Sequence, residues 1–438
     1  MPGQPEPTTA RVRMYQVGFG DCLLLTFEYA HPLADNRKER HILFDFGSTH
    51  SPWEGHTMKK VADKIALHTH GKLDVLVATH RHRDHISGFG TQATAKIVAG
   101  LKPDLVVRPW TEEPDIPEEA LEPPPGQPGF TAAQFQAEIE TMEKLAQRVV
   151  AWLRGLSAGE ETRRAYEGLL ALAFDQIKNK AAVDNLALWS KPEKGEYVSF
   201  GKGNKRLEQL IPGVGFKVIG PPTLKQHPAI RSYAPDGEEE YWIAASQEVG
   251  DTLATMKRSS APGASIPVAA MPIVARLRDR NATTLLNIVR RMDDYLNNTS
   301  VILLIEAGNK RLLFGGDAQV ENWGYAKTQP AWQDLAKIDL YKVGHHGSRN
   351  ASPESLVTMW PETPPGVEHA MVALMSTKLD SGHGHEENDT EVPRKPLVEA
   401  LKKRAALYST HELPKPQLWL EFKADLHSAG VFKPVAPT

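Results

Sequence analysis

Six consecutive residues, His80-Arg81-His82-Arg83-Asp84-His85, hold four side chains of the kind that bind divalent cations. If the segment is extended, His80, His82 and Asp84 share one face, because side chains alternate along a strand. His85 then points elsewhere, so the loop can serve two adjoining metal positions rather than one crowded one. A bound divalent ion lowers the pKa of its water to about 7 and polarises the bond under attack, so such a site hydrolyses without a serine or cysteine nucleophile.

The elements that position these residues are apolar strands. Leu73 to Thr79 reads as a buried strand delivering the chain to His80. Leu312-Leu313-Phe314 runs into Gly315-Gly316-Asp317, which places Asp317 exposed at a strand end. Leu340-Tyr341-Lys342-Val343 runs into Gly344-His345-His346-Gly347-Ser348. Val12 to Phe27 reads as a hairpin around Gly18-Phe19-Gly20-Asp21, and further strands are expected at Ile42 to Phe46, Leu105 to Val107, Gly215 to Ile219, Val301 to Glu306 and Met371 to Met375. Helices are expected over Met58 to His68, Thr131 to Leu153, Glu160 to Ile177, Thr284 to Leu296 and Pro396 to Ala406. The alternation gives an α/β class. His383 and His385 sit in a polar, glycine-containing loop after Met375, where they either line a cleft mouth or are solvated.

Composition narrows the remaining classes. With 41% hydrophobic and 24% charged residues the chain has material for a large core, and a net charge of -3 argues against a uniformly basic nucleic-acid binder. The single cysteine excludes an intramolecular disulfide framework and a cysteine-rich zinc ribbon, leaving His, Asp and Glu as ligands. The first residues lack the pattern of a signal peptide, and no window approaches the roughly 18 apolar residues of a membrane span. The expectation is a cytoplasmic protein with no membrane association.

The metal loop, with Ile86-Ser87-Gly88 after it, resembles the signature loop of the metallo-β-lactamase superfamily. That resemblance implies that His80 and His82 bind one metal, Asp84 and His85 a second, and that Asp317 bridges the two. The wider pattern of Val17-Gly18-Phe19-Gly20-Asp21, Asn298-Thr299-Ser300-Val301, Gly316-Asp317 and His345-His346-Gly347-Ser348 is similar to the hydrolase domain of ComEC-type DNA-uptake proteins and their soluble relatives. It spans roughly residues 11 to 110 and 298 to 425. By this resemblance His345 is the further ligand of the second metal, with His346 next to the substrate or as the alternative ligand. Asp45 matches a position that supports the metal loop, or simply initiates a turn, and Asp21 carries the same ambiguity.

The resemblance implies a four-layer αβ/βα sandwich with a helical insertion. Its first half is expected over 11–111, a proline-rich linker and helical insertion over 112–210, and its second half over 211–427 with an insertion around 226–290. One departure from the family pattern is the absence of a histidine before the Asp317 strand, where the chain reads Asp293-Asp294-Tyr295-Leu296-Asn297-Asn298. The first metal position then recruits Asn298 or waters, or prefers oxygen-loving ions. The cofactor expectation is one or two divalent ions, Zn²⁺ or Mn²⁺.

The expected function is a phosphodiesterase or nuclease in which Asp317, Asp84 and His346 act at the reacting centre and His346 and Ser348 contact a nucleic acid or other phosphodiester. A lactone, ester or β-lactam hydrolase is the alternative, and a metal-stabilised binding module is a third reading.

Overall fold

Near-continuous apolar runs make strands that bury both faces, and two such sets of strands form two mixed sheets. The structure is a computed structural model, and it describes residues 5–113, 180–191, 193–223, 225–227, 296–348, 352–379 and 392–436. The helices expected over 131–153 and 160–177, that over 284–296 except its last residue, and the residues His383 and His385, lie outside the described residues.

The first sheet begins with β1 (Pro7–Tyr15), β2 (Leu23–Tyr29), β3 (Glu39–Phe44), β4 (Val75–Val77) and β5 (Leu105–Pro109). β6 (Gly195–Val198) extends it in parallel beside β5. The second sheet holds β7 (Val214–Gly220), β8 (Ile302–Ala307), β9 (Lys310–Phe314), β10 (Leu340–Lys342), β11 (Val372–Met375) and β12 (Ala406–Ser409). The chain then returns to the first sheet with β13 (Trp419–Asp425), antiparallel to β1, and β14 (Lys433–Pro434).

Within each sheet, antiparallel strands give way to parallel ones. β3, β4, β5 and β6 run in parallel, as do β9, β10, β11 and β12. The carboxyl ends of parallel strands are where open α/β sheets bind ligands, and here both sheets supply such ends.

Side-chain alternation sorts the core. Val12, Leu25, Ile42, Phe44, Val75 and Val77 of the first sheet share one buried cluster with Phe216, Leu303, Ile305, Leu312, Phe314 and Leu374 of the second. The intervening residues face outward: Leu24, Leu43, Leu76 and Val106 pack with Val61, Ala62 and Ile65 of helix α1 (Met58–His68). On the other side Leu304, Leu313, Tyr341 and Ala373 pack with Trp323, Trp332 and Leu401. Helix α1 begins where the sequence places it because Thr57 caps it, its hydroxyl accepting from Lys60 N at 3.3 Å. Among the described residues no helix is long and apolar enough to cross a membrane.

Four elements depart from expectation. Residues 180–189 and β6 fall in the stretch read as insertion, yet β6 is a partner of β5. The late helix is Lys395–Lys402, after which Ala406–Ser409 turns to strand alongside β11. β13 lies in the stretch assigned to the second half but completes the first sheet.

Phe44 and Phe314 stack across the two sheets with ring centroids 4.3 Å apart and planes 11° from parallel. Truncating a buried phenylalanine typically costs about 3–5 kcal/mol. Phe314→Ala is expected to lower the unfolding free energy by that amount, read as a drop in urea midpoint at constant slope. A change below about 1 kcal/mol would show that the sheets are not held by this contact.

Candidate metal centre

β4 delivers Thr79 and His80 in extended form, and His82 then caps the short helix α2 (Arg83–Ile86), accepting from the backbone of His85 and Ile86 at 3.0 Å. The shared face expected of the loop therefore ends at His82, because Asp84 already lies in a helical turn. His80 Nε2 and His82 Nδ1 stand 3.0 Å apart, and the His80 ring lies 4.1 Å from that of His85. Two glycines permit the close approach of neighbouring loops: a Cβ on Gly47 would come within 2.4 Å of the Asp84 carbonyl, and one on Gly20 (φ +155°) within 2.7 Å of it.

Asp84, His85, Asp317 and His346 converge so that one ligand-type atom from each lies within 4.8 Å of all the others. Asp317 is fully buried, not exposed at its strand end as expected. His85 Nε2 lies 2.9 Å from Asp317 Oδ2 and 3.7 Å from Asp84 Oδ2. Despite that approach, His85 Nε2 and Asp317 Oδ2 are buried atoms with no properly aligned hydrogen bond. A buried ring nitrogen and a carboxylate oxygen at this separation pair while His85 is protonated, and can share a cation once that nitrogen has lost its proton.

The histidines are oriented for that role. Asp45 accepts from Thr79 N at 2.8 Å, Thr79 Oγ1 at 2.7 Å and His85 Nδ1 at 2.8 Å. His346 Nδ1 donates to Ser376 O at 2.8 Å, and its Nε2 reaches Asp84 Oδ2 at 2.9 Å. With each Nδ1 committed as a donor, Nε2 is the nitrogen left to bind a metal. Phe19 packs on the His346 ring at 4.2 Å. The residues present therefore fit a divalent ion.

The adjacent histidines take different positions, and His346, the alternative ligand of the sequence reading, is the inner one. Both take positive φ, His345 at 43° and His346 at 54°, so their side chains leave the turn in different directions. It is His346 that joins Asp84 and His85. His345 is 22% exposed, its backbone N donates to Asp317 Oδ1 at 3.0 Å, and its Nε2 lies 3.9 Å from Asp317 Oδ2. Asn298 is turned away from a ligand role: its amide donates to Glu321 Oε2 at 2.7 Å and its oxygen accepts from Asn322 N. Ser348 Oγ is buried with no hydrogen-bond partner among the described residues. Asp21 donates its backbone N to Asp84 O at 2.9 Å, and its carboxylate accepts from the buried Lys342 ammonium. Sequence reasoning did not single out Lys342, Ser376 or Thr79; a lysine inside the apolar run of β10 was the available signal.

Electrostatics follows from burial against partners. Burial disfavours the Asp84 carboxylate, but His85 and the His346 hydrogen bond hold its pKa below the ordinary value. Asp317 is likewise held well below it, with His85 and His345 outweighing burial. Burial also opposes the His85 imidazolium, yet Asp317, Asp84 and Asp45 raise its pKa well above the usual range. Burial is outweighed at His346 too, by the Asp84 hydrogen bond. His80, buried beside His85 and His82, is pushed well down.

Comparison with known proteins adds one finding. The chain is similar to Recombination protein 2 of Haemophilus influenzae, 37% identical over 73 residues, a segment that covers 16% of this chain and 8% of that protein's length. No protein-family profile matches the chain.

A pH dependence follows for the protein stripped of metal. His85 and His346 have raised pKa values, so their contribution to stability is complete below the ordinary histidine value of 6.5 and is lost as pH rises through the folded-state value. Asp84 and Asp317 act in the opposite sense, losing their contribution only as pH falls below the carboxylate range. Urea unfolding in chelator should lose more stability between pH 6 and pH 9 in the wild type than in Asp317→Asn, which removes the main partner of the His85 imidazolium. Equal losses in the two proteins would contradict the imidazolium pairing.

Proposed function

We propose that this chain is a metal-dependent hydrolase of the metallo-β-lactamase superfamily that cleaves phosphodiesters, with nucleic acid as the substrate class. The observation that carries it is the convergence of Asp84, His85, Asp317 and His346, one ligand-type atom from each lying within 4.8 Å of all the others. Two facing mixed sheets with helices on their outer sides, and a centre at the carboxyl ends of parallel strands, agree with that superfamily's four-layer sandwich. The name of the similar Haemophilus influenzae protein ties that protein to recombination, which favours nucleic acid over a lactone or β-lactam.

Asp84, His85, Asp317 and His346 would hold an ion, and His80 and His82, whose rings meet at 3.0 Å, would contribute to an adjoining one. A bound divalent ion supplies an acidified water and draws charge from the phosphoryl oxygens. The protein's own groups prepare that chemistry. Asp45 holds the proton on His85 Nδ1 and the Ser376 carbonyl holds the one on His346 Nδ1, so neither ring can turn over without losing a buried hydrogen bond. Asp317 keeps Oδ2 free because its Oδ1 is tied to His345 N. His345, the partly exposed member of the pair, would give a proton to the leaving oxygen.

The test is turnover of bis-p-nitrophenyl phosphate and of single-stranded and duplex DNA by protein reloaded with Mn²⁺ or Zn²⁺, with lactones and a chromogenic β-lactam in parallel. Phosphodiester cleavage should vanish in chelator and fall by at least about 10³-fold in Asp317→Ala and His346→Ala. His345→Ala should cost about 10²-fold, at the lower end of general-acid contributions. Turnover confined to lactones or β-lactams, or full activity in both alanine variants, would sink the reading.

A further inference from the structure

One buried cation has no part in the chemistry described above. Lys342 ends β10, is only 5% exposed, and its ammonium donates to Asp21 Oδ2. Asp21 in turn stands 3.8 Å from His85 Nδ1 and 3.8 Å from His346 Nδ1, the two rings that face the centre. Burial works against the ammonium, but Asp21 and Asp317 keep it protonated, with Asp45 adding to them.

Charge accounting then gives Lys342 a consequence beyond packing. Asp21, Asp45, Asp84 and Asp317 set four carboxylates against this one ammonium, which leaves three negative charges while the ligating imidazoles are neutral. Two divalent ions would turn that into a single positive charge. Without the lysine's charge the same loaded centre would be neutral. In a buried site one unit of charge acts strongly on any ion that enters.

We propose that Lys342 is a specificity-determining residue: its fixed charge makes the loaded centre one unit more positive than it would otherwise be, and so favours anionic over uncharged esters. This rests on the hydrolase reading above with both ion positions filled. A merely structural role, in which the pair only ties β10 to the Gly18–Asp21 turn, makes a different prediction. On that view losing either partner weakens the site alike. On ours, losing Asp21's charge alone strengthens its hold on anions, and losing both charges restores the original balance.

The experiment titrates inorganic phosphate calorimetrically onto Mn²⁺-loaded protein of measured metal content, for the wild type, Lys342→Met, Asp21→Asn and the double variant. Lys342→Met should weaken phosphate binding by about tenfold, Asp21→Asn should tighten it, and the double variant should return to within about twofold of wild type. The kcat/KM for bis-p-nitrophenyl phosphate should follow the same order, while that for the uncharged p-nitrophenyl acetate should shift by less than about twofold. Lys342→Arg should stay near wild type, and Asp21→Asn alone decides the matter if the methionine variants do not fold. Weaker phosphate binding in Asp21→Asn, or equal losses on both substrates in Lys342→Met, overturns the proposal and leaves the hydrolase reading intact. A wild type that binds no ion defeats both.

Discussion

Four carboxylates gathered in one buried space repel one another and lose their hydration, so each must meet a donor of its own. Asp45 meets Thr79 and His85, Asp84 meets His346, Asp317 meets the His345 backbone, and Asp21 meets Lys342. No single strand could supply this. The acceptors follow β1, β3, β4 and β9, while their donors come from β4, β10 and the loops after them, so the two sheets must face each other in one register for every acid to be answered. The stacking of Phe44 on Phe314 and the shared apolar cluster set that register from below.

Much of this was legible in the chain. His80, His82, Asp84, His85 and Asp317 stand out because each follows an apolar strand abruptly, and a strand's end is where a polar side chain can leave the core. The choice between His345 and His346 was not legible, since it is made by two positive φ values and by Ser376, just past the end of β11 and some thirty residues later. Asn298 looked available as a ligand because its partners Glu321 and Asn322 belong to a helix whose position depends on the folded sheet. β6 and β13 escaped notice for a related reason: their half-buried patterns make sense only beside partners far away in sequence.

The same comparison explains why Lys342 was passed over. In an apolar strand a lysine reads as a residue whose stem is buried and whose head reaches water. Here the head turns inward, because Asp21 waits at the far side of the molecule's sequence, more than three hundred residues earlier. Residues that answer one another across that distance leave no local trace.

The closure of the first sheet by β13 also bears on how the chain assembles. β1 is flanked by β2 on one side and by β13 on the other, and its second partner is made after nearly all of the chain. During synthesis β1 would therefore present an unpaired edge through the production of both sheets, open to wrong partners. Arg11, Arg13 and Glu28 lie on or beside that edge, and Glu421 of β13 pairs with both arginines once it arrives. Until then the charges themselves guard the strand, since an edge lined with arginine is a poor template for a stray apolar segment.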